Sequence, residues 1–200
     1  QWFQPKSEAA ENDTTEIQAL TTAIQIVDPE ERLAAIEKIV NLDSFMNLWA
    51  GEGIAGLWDG YVANANNYLF YVHPVTGLIE FIPWGADHGL GDRDAVHCTE
   101  ANELRVITPR GALAVALYES ETFRERLVDR IEYVAETVWD PERYIQEMRR
   151  LYSLFEGYTP YLATIENWAR GRLDTVRAEI ADGAPDVSDI PPSCLGLNPG

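Results

Sequence analysis

Apolar residues recur at intervals of three and four along most of the chain, which predicts a series of helices that each bury one face. The predicted inward faces of the first three helices are Ile17, Leu20, Ile24 and Val27; Leu33, Ile36, Ile39 and Val40; and Phe45, Met46, Leu48 and Trp49. Later helices are predicted over 109–117, over 121–138 with Phe123, Leu127, Ile131, Val134 and Val138 inward, from Pro141 with Ile145 and Met148 inward, and over 162–181. Asp43 and Ser120 stand where N-caps are expected.

One region departs from the helical pattern. Two β-rich runs, 67–72 and 78–82, flank the five-residue connection His73-Pro-Val-Thr-Gly77. A short connection with an early proline and a final glycine is typical of a β-hairpin. The predicted fold class is therefore α+β, mostly helical with one hairpin.

Composition and charge limit the functions that this chain can have. Its 200 residues carry 15 basic and 33 acidic side chains, a formal net charge of −18. Such a surface repels nucleic acids and anionic membranes, and no apolar run approaches the ~20 residues that span a bilayer. We expect no nucleic-acid partner, no membrane span and one folded body over 13–182, between a frayed segment at 1–12 and a Pro-, Asp- and Ser-rich tail at 183–200.

Candidate chemistry surrounds the predicted hairpin. Asp59 and Asn64 precede it in a D-x-x-x-x-N spacing, and Asp87 follows it in a glycine-rich stretch. In protein kinases this spacing places an Asp beside the substrate hydroxyl and an Asn on Mg²⁺, and an acidic metal ligand follows. In a catalytic site, a short irregular loop would let both side chains converge on one bound phosphate. An ordinary turn with Asx caps is the competing interpretation of the spacing. The hairpin should return Asp87 towards the other two residues.

These residues resemble the CotH kinase family, atypical kinases named for a bacterial spore-coat protein. The motifs that carry the resemblance lie within 42–91: Asp59-Gly-Tyr-Val-Ala-Asn64, Asn67-Tyr-Leu-Phe-Tyr71, Pro74-Val-Thr-Gly77 and Ile82-Pro-Trp84. Where family members have W-D-x-D, this chain has Trp84-Gly85-Ala86-Asp87. The first acid of that motif resembles a kinase metal ligand, and its place is taken here by Gly85.

The resemblance implies the larger, C-terminal lobe of a kinase-like fold, with the hairpin carrying the catalytic and metal loops. It also implies ATP- and Mg²⁺- or Mn²⁺-dependent phosphoryl transfer to Ser or Thr of secreted or surface protein substrates. The implied roles are Asp59 as the catalytic residue, Asn64 and Asp87 as metal ligands, and Asn66, Asn67, Trp84 and His88 as site lining. An ATP-binding lobe should precede this chain, because Lys6 and Lys38 are the only lysines and neither lies on a predicted strand. We expect the chain to be inactive without that lobe.

Two other functions remain open. Gly85 is consistent with an inactive kinase-like surface or scaffold protein. A metal-dependent hydrolase using Asp87, Asp92 and His97 is a weaker hypothesis, because their spacing fits neither a zinc helix nor an EF-hand. The run Gly51-Glu-Gly53-Ile-Ala-Gly56 has the letters of a phosphate-binding loop, but a helix precedes it, so we interpret it as helix termination by glycine.

Cysteines and arginines give two further expectations. Cys98 and Cys194 are the only cysteines and both lie in predicted loops, which favours a disulfide and an exported, extracellular or cell-surface protein; two free thiols are the alternative. Arg170, Arg172 and Arg177 are expected on a solvated helix face, paired with Glu166, Asp174 and Glu179.

Overall fold

The computed structural model describes residues 6, 13–86, 89, 105–154 and 159–187, with side chains of the last segment described from 162. In chain order its elements are α1 (Thr15–Ile24), α2 (Pro29–Ile36), α3 (Leu42–Ala55), α4 (Tyr61–Asn64), β1 (Tyr68–Val72), β2 (Ile79–Pro83), α5 (Ala112–Tyr118), α6 (Glu121–Thr137), α7 (Pro141–Tyr152) and α8 (Thr159–Ile180). None of the helices found in these segments is both long and apolar enough to cross a membrane.

The predicted fold class is confirmed. Helices dominate the described residues, and the two strands found there pair as one antiparallel hairpin. The register places Phe70 opposite Phe81 and Val72 opposite Ile79. The turn closes where the sequence predicts it, with Gly77 at a φ of 71° and the His73 Nδ1 atom accepting hydrogen bonds from the amides of Val75 and Thr76.

Three sequence predictions about helix ends are wrong. Asn41, rather than Asp43, caps α3, because its side chain accepts a hydrogen bond from Ser44 N while Asp43 lies in the first turn. Val27 and Val138 are 91% and 67% exposed. They belong to the apolar pattern, but α1 already ends at Ile24 and α6 at Thr137. The Ser120 cap is confirmed by its side-chain bond from Phe123 N at 3.0 Å.

Helix α3 lies at the centre of the core. It packs against α6 on one side and β2 on the other. Phe45 makes edge contacts with Trp49 and Phe81, with ring centroids 6.2 and 5.2 Å apart, and both Phe45 and Trp49 are fully buried. Trp49 also donates from Nε1 to Val106 O at 3.2 Å, which satisfies its buried polar atom. The core therefore fixes the helix that leads into the Asp59 segment.

The hairpin is joined directly to the start of α3. Val40 forms a parallel bridge with Ile79, through bonds from Ile79 N to Ile39 O at 2.7 Å and from Asn41 N to Ile79 O at 3.0 Å. The Asn41 side chain adds a bond to Glu80 Oε1 at 2.7 Å. Both ends of the candidate site, the segment after α3 and the hairpin, are thus held by one helix.

Candidate active site

The Asp59 turn joins the end of α3 to α4. Gly56 terminates α3 with a φ of 64°, in the left-handed region that glycine occupies without strain. Leu57 N then donates to Glu52 O at 2.8 Å, and Gly60 N donates to Leu57 O at 3.3 Å. Termination by glycine is confirmed at Gly56. The chain reverses tightly here and leaves Asp59 partly exposed.

Three asparagine side chains hold the Asp59 carboxylate. Asn64 Nδ2 and Asn66 Nδ2 donate to Oδ1 at 2.5 and 3.2 Å, and Asn67 Nδ2 donates to Oδ2 at 2.7 Å. The predicted convergence of Asp59 and Asn64 is therefore present, and the two lining asparagines join it. The spacing is bridged by the single helical turn α4 rather than by the irregular loop that the sequence suggested.

Two strained residues turn the asparagines back towards Asp59. Ala65 and Asn67 have φ values of 54° and 44°, and they are the two non-glycine residues with positive φ in the described part of the chain. Asn tolerates this region better than Ala does, and each such residue costs roughly 1–3 kcal/mol. Their concentration next to Asp59 is typical of a functional site, where surrounding contacts hold the strain.

The second strand returns to the same place. Asn67 O accepts a hydrogen bond from Trp84 N at 3.1 Å, so Asn67 links the Asp59 carboxylate to the end of the hairpin. Trp84 is 65% exposed, and Gly85 has a φ of 65°. The other predicted site residues lie outside the described residues: Asp87, His88, Asp92, His97, Cys98 and Cys194.

Sequence reasoning missed Glu52, a buried acid directly beside the Asp59 turn. Glu52 is only 4% exposed. Its carboxyl oxygens accept hydrogen bonds from Tyr61 N at 3.3 Å and Val62 N at 3.1 Å. Burial raises its pKa from 4.5 to about 7, although the two amide bonds act in the opposite direction. A Cβ on Gly60 would lie 2.5–2.7 Å from the Glu52 carboxyl atoms. Glycine in the D-G-Y motif therefore makes room for this acid.

A signal for Glu52 existed in the sequence. It follows Phe45 by seven residues and Trp49 by three, which places it on the buried stripe of α3. An acid on an apolar stripe needs buried donors. Those donors come from the next turn of the chain, which the helical pattern alone does not reveal.

The prediction of a fully solvated arginine face on α8 is also wrong. Arg172 is 2% exposed and donates from Nε to Ile54 O at 3.0 Å and from Nη2 to Gly53 O at 2.5 Å, and burial lowers its pKa to about 10. A cation at these carbonyls complements the C-terminal end of α3. Arg170 behaves as predicted, since it is exposed and pairs with Glu166 at 3.6 Å.

Glu179 of α8 also binds backbone amides. It accepts from Val106 N at 2.8 Å and Ile107 N at 2.9 Å, and burial raises the pKa of its carboxyl group. The expected solvated pairing of Glu179 is therefore replaced by a contact with the segment before α5. Arg172 therefore binds the end of α3, whereas Glu179 binds the segment before α5.

The atoms of the described site that could bind a metal ion are oxygens. Asn64 directs its amide nitrogen to Asp59, so its carbonyl oxygen is the atom that could face a cation. Oxygen ligands of this kind suit Mg²⁺ or Mn²⁺ rather than zinc. Across 13–86, 105–154 and the other described positions, no three His, Cys, Asp or Glu side chains cluster as a metal site.

The chain matches the model of a known protein family. No curated protein matches the chain. The family model described as CotH kinase protein matches residues 1–175 of the 200, a range that includes the Asp59 turn, the hairpin and most of α8. The chain belongs to the CotH kinase family.

Proposed function

We propose that this chain forms the larger lobe of an ATP- and Mg²⁺- or Mn²⁺-dependent protein kinase that phosphorylates Ser or Thr of secreted or surface proteins. Membership of a kinase family supports the reaction class. The observation that carries the proposal is the Asp59 carboxylate, which three amides hold in place beside the hairpin end.

The hydrogen bonds leave Asp59 able to act on a hydroxyl group. An ionised carboxylate has about four acceptor positions, and asparagine amides take two on Oδ1 and one on Oδ2. Among the described residues nothing else bonds to Asp59, so one position on Oδ2 remains for the hydroxyl of the substrate. A carboxylate within hydrogen-bond reach can orient that hydroxyl and accept its proton during transfer.

Asn64 and Asp87 would hold the metal in this proposal. A bound Mg²⁺ would neutralise charge on the phosphates of ATP, which matters for a chain with a formal net charge of −18. The proposal also includes an ATP-binding lobe of the same protein before this chain, the 13–182 body, export from the cell and a Cys98–Cys194 disulfide.

The second candidate is a kinase-like scaffold that has lost its metal. Gly85 favours it, because the family pattern has an acid at that position. Gly85 has a φ of 65°, in the left-handed region. Asp adopts this region at a lower cost than most residues, so the backbone can accept Gly85→Asp with little strain.

Affinity for ATP with Mg²⁺ separates the two candidates. Calorimetry on the full-length protein would compare wild type with Asp87→Ala and Gly85→Asp, and Asp92→Ala provides the control for loss of one negative charge in the same stretch. If Asp87 ligates the metal, Asp87→Ala should weaken Mg²⁺-dependent binding at least about 10-fold, and Gly85→Asp should add little.

Each alternative has its own result. A scaffold without a metal site should be insensitive to Asp87→Ala and should gain Mg²⁺-dependent binding from Gly85→Asp. A loss of binding in Asp92→Ala equal to that in Asp87→Ala would contradict the assigned ligands and favour the hydrolase hypothesis.

A further inference from the structure

Glu52 holds the Asp59 turn to the core by a pair of backbone bonds. Its two oxygens take the amides of Tyr61 and Val62, the residues that follow Asp59-Gly60 and begin α4. The other end of α4 is Asn64, which donates to Asp59. A single helical turn therefore connects the Glu52 contact to the carboxylate contact.

Helix α4 is also fastened to the start of α5 and to the segment before it. Val62 O accepts from Arg110 N at 2.7 Å, and the Tyr61 hydroxyl accepts from Leu113 N at 3.0 Å. Tyr61 also packs edge-on against Tyr68, with ring centroids 4.5 Å apart. These contacts hold α4 laterally, whereas Glu52 is the side chain of α3 that binds its first amides.

Burying an acid at this position costs free energy, so its presence calls for an interaction that an apolar residue could not make. Burial disfavours its charge, which is why its pKa lies near 7 rather than 4.5. An apolar side chain would leave both amides without the acceptor that Glu52 supplies. The titratable neighbour on α4 is the Tyr61 phenol, whose pKa is raised by its own burial and, to a smaller extent, by the charge of Glu52. Arg172 of α8 binds the carbonyl groups of Gly53 and Ile54, which follow Glu52 on α3.

We infer that Glu52 is a positioning residue for Asp59: by binding the amides of Tyr61 and Val62 it fixes α4, and through α4 the geometry of Asp59 and Asn64. The catalytic part of this inference rests on the proposed kinase function. The positioning part does not, because it can be measured on the turn itself.

Amide hydrogen exchange on the full-length protein tests the positioning. Glu52→Gln keeps one acceptor oxygen and places an amide donor where the second stood, and Glu52→Ala removes both acceptors. Exchange at the Tyr61 and Val62 amides, relative to globally protected core amides, should rise roughly 10-fold in Glu52→Gln and further in Glu52→Ala. Glu179→Gln is the matched control, since Glu179 also accepts two backbone amides but outside the Asp59 turn.

Phosphoryl transfer tests the consequence. Glu52→Gln should lower kcat roughly 10- to 100-fold, a larger factor than any rise in the KM for ATP, because Glu52 does not contact the nucleotide and affects its metal only through Asn64. Glu52→Ala should lose more kcat than Glu52→Gln does, and Glu179→Gln should keep kcat within about threefold of wild type.

The outcomes separate this inference from the function on which it partly rests. Unchanged relative exchange at Tyr61 and Val62 in both Glu52 variants overturns the positioning role. Raised exchange with unchanged kcat overturns its part in the reaction. Raised exchange in a protein whose wild type transfers no phosphate supports the positioning role and defeats the kinase proposal alone.

Discussion

Gly60→Ala is the substitution that most sharply tests the packing beneath the Asp59 turn. The φ of Gly60 is −79°, which alanine adopts without strain, so the effect comes from the added methyl group alone. That Cβ would lie 2.5 Å from Glu52 Cδ and 2.6 and 2.7 Å from its oxygens. The carboxyl group would have to move by about 1 Å to reach ordinary contact distance.

Such a movement breaks both bonds of Glu52. They measure 3.3 and 3.1 Å to Tyr61 N and Val62 N, and a further ångström takes them beyond hydrogen-bond range. Bonds to charged groups contribute about 1.5–3 kcal/mol each, and the loss of backbone freedom in the unfolded chain returns about 0.4–1 kcal/mol. We expect a net loss of about 2–5.6 kcal/mol in the free energy of unfolding, from two such bonds less the gain in the unfolded chain.

Urea denaturation followed by circular dichroism measures this loss. Gly51→Ala, in the same helix as Glu52, is the matched control. Apart from its chain neighbours and its own helix backbone, no atom of the described residues lies within 4 Å of the position that a Cβ on Gly51 would take, so the change should be neutral or slightly stabilising. In a Glu52→Ala background, Gly60→Ala should cost less than about 1 kcal/mol, since the atoms that it strikes are gone. A Gly60→Ala protein as stable as wild type would refute the close contact.

Two further predictions concern buried charges. The pKa of Glu52, about 7 in the folded protein against 4.5, means that the folded state keeps a proton which the unfolded chain has released between these values. Wild-type stability should therefore fall by up to about 3 kcal/mol between pH 5 and pH 8 on account of this group, and Glu52→Gln should remove that part of the slope in urea titrations. Arg172→Met should cost about 3 kcal/mol, because it leaves the carbonyls of Gly53 and Ile54 without their buried donor. The same change at exposed Arg170 should leave the urea midpoint nearly unchanged.

The sequence predicts the parts of this molecule that local chemistry determines. Helical spacing and caps locate the helices, and a Pro and a Gly locate the hairpin turn. The Asp59–Asn64 pairing follows from a five-residue separation. The exposure of Val27 and Val138 was not predicted, because helix ends depend on where the core stops as well as on spacing.

Buried charges could not be predicted from local pattern. Arg172 meets carbonyl groups that lie 118 and 119 residues earlier in the chain, so its burial depends on how α8 packs against α3. Glu52 accepts hydrogen bonds from amides nine and ten residues later. The shape of the turn that carries those amides itself depends on Glu52. Both are polar groups that tertiary contacts, rather than propensity, make acceptable in the core.

The most direct test of the central claim is phosphoryl transfer by Asp59→Asn in the full-length protein. The variant keeps the shape of the side chain but removes the carboxylate that three amides hold. The assay contains ATP labelled on its γ-phosphate, Mg²⁺ or Mn²⁺, and casein as the Ser- and Thr-containing probe. The wild-type protein should transfer the label to casein. Asp59→Asn should be at least roughly 100-fold slower, and Asp43→Asn, a change at an exposed acid of α3, should match wild type. Equal labelling by wild type and Asp59→Asn would contradict the account.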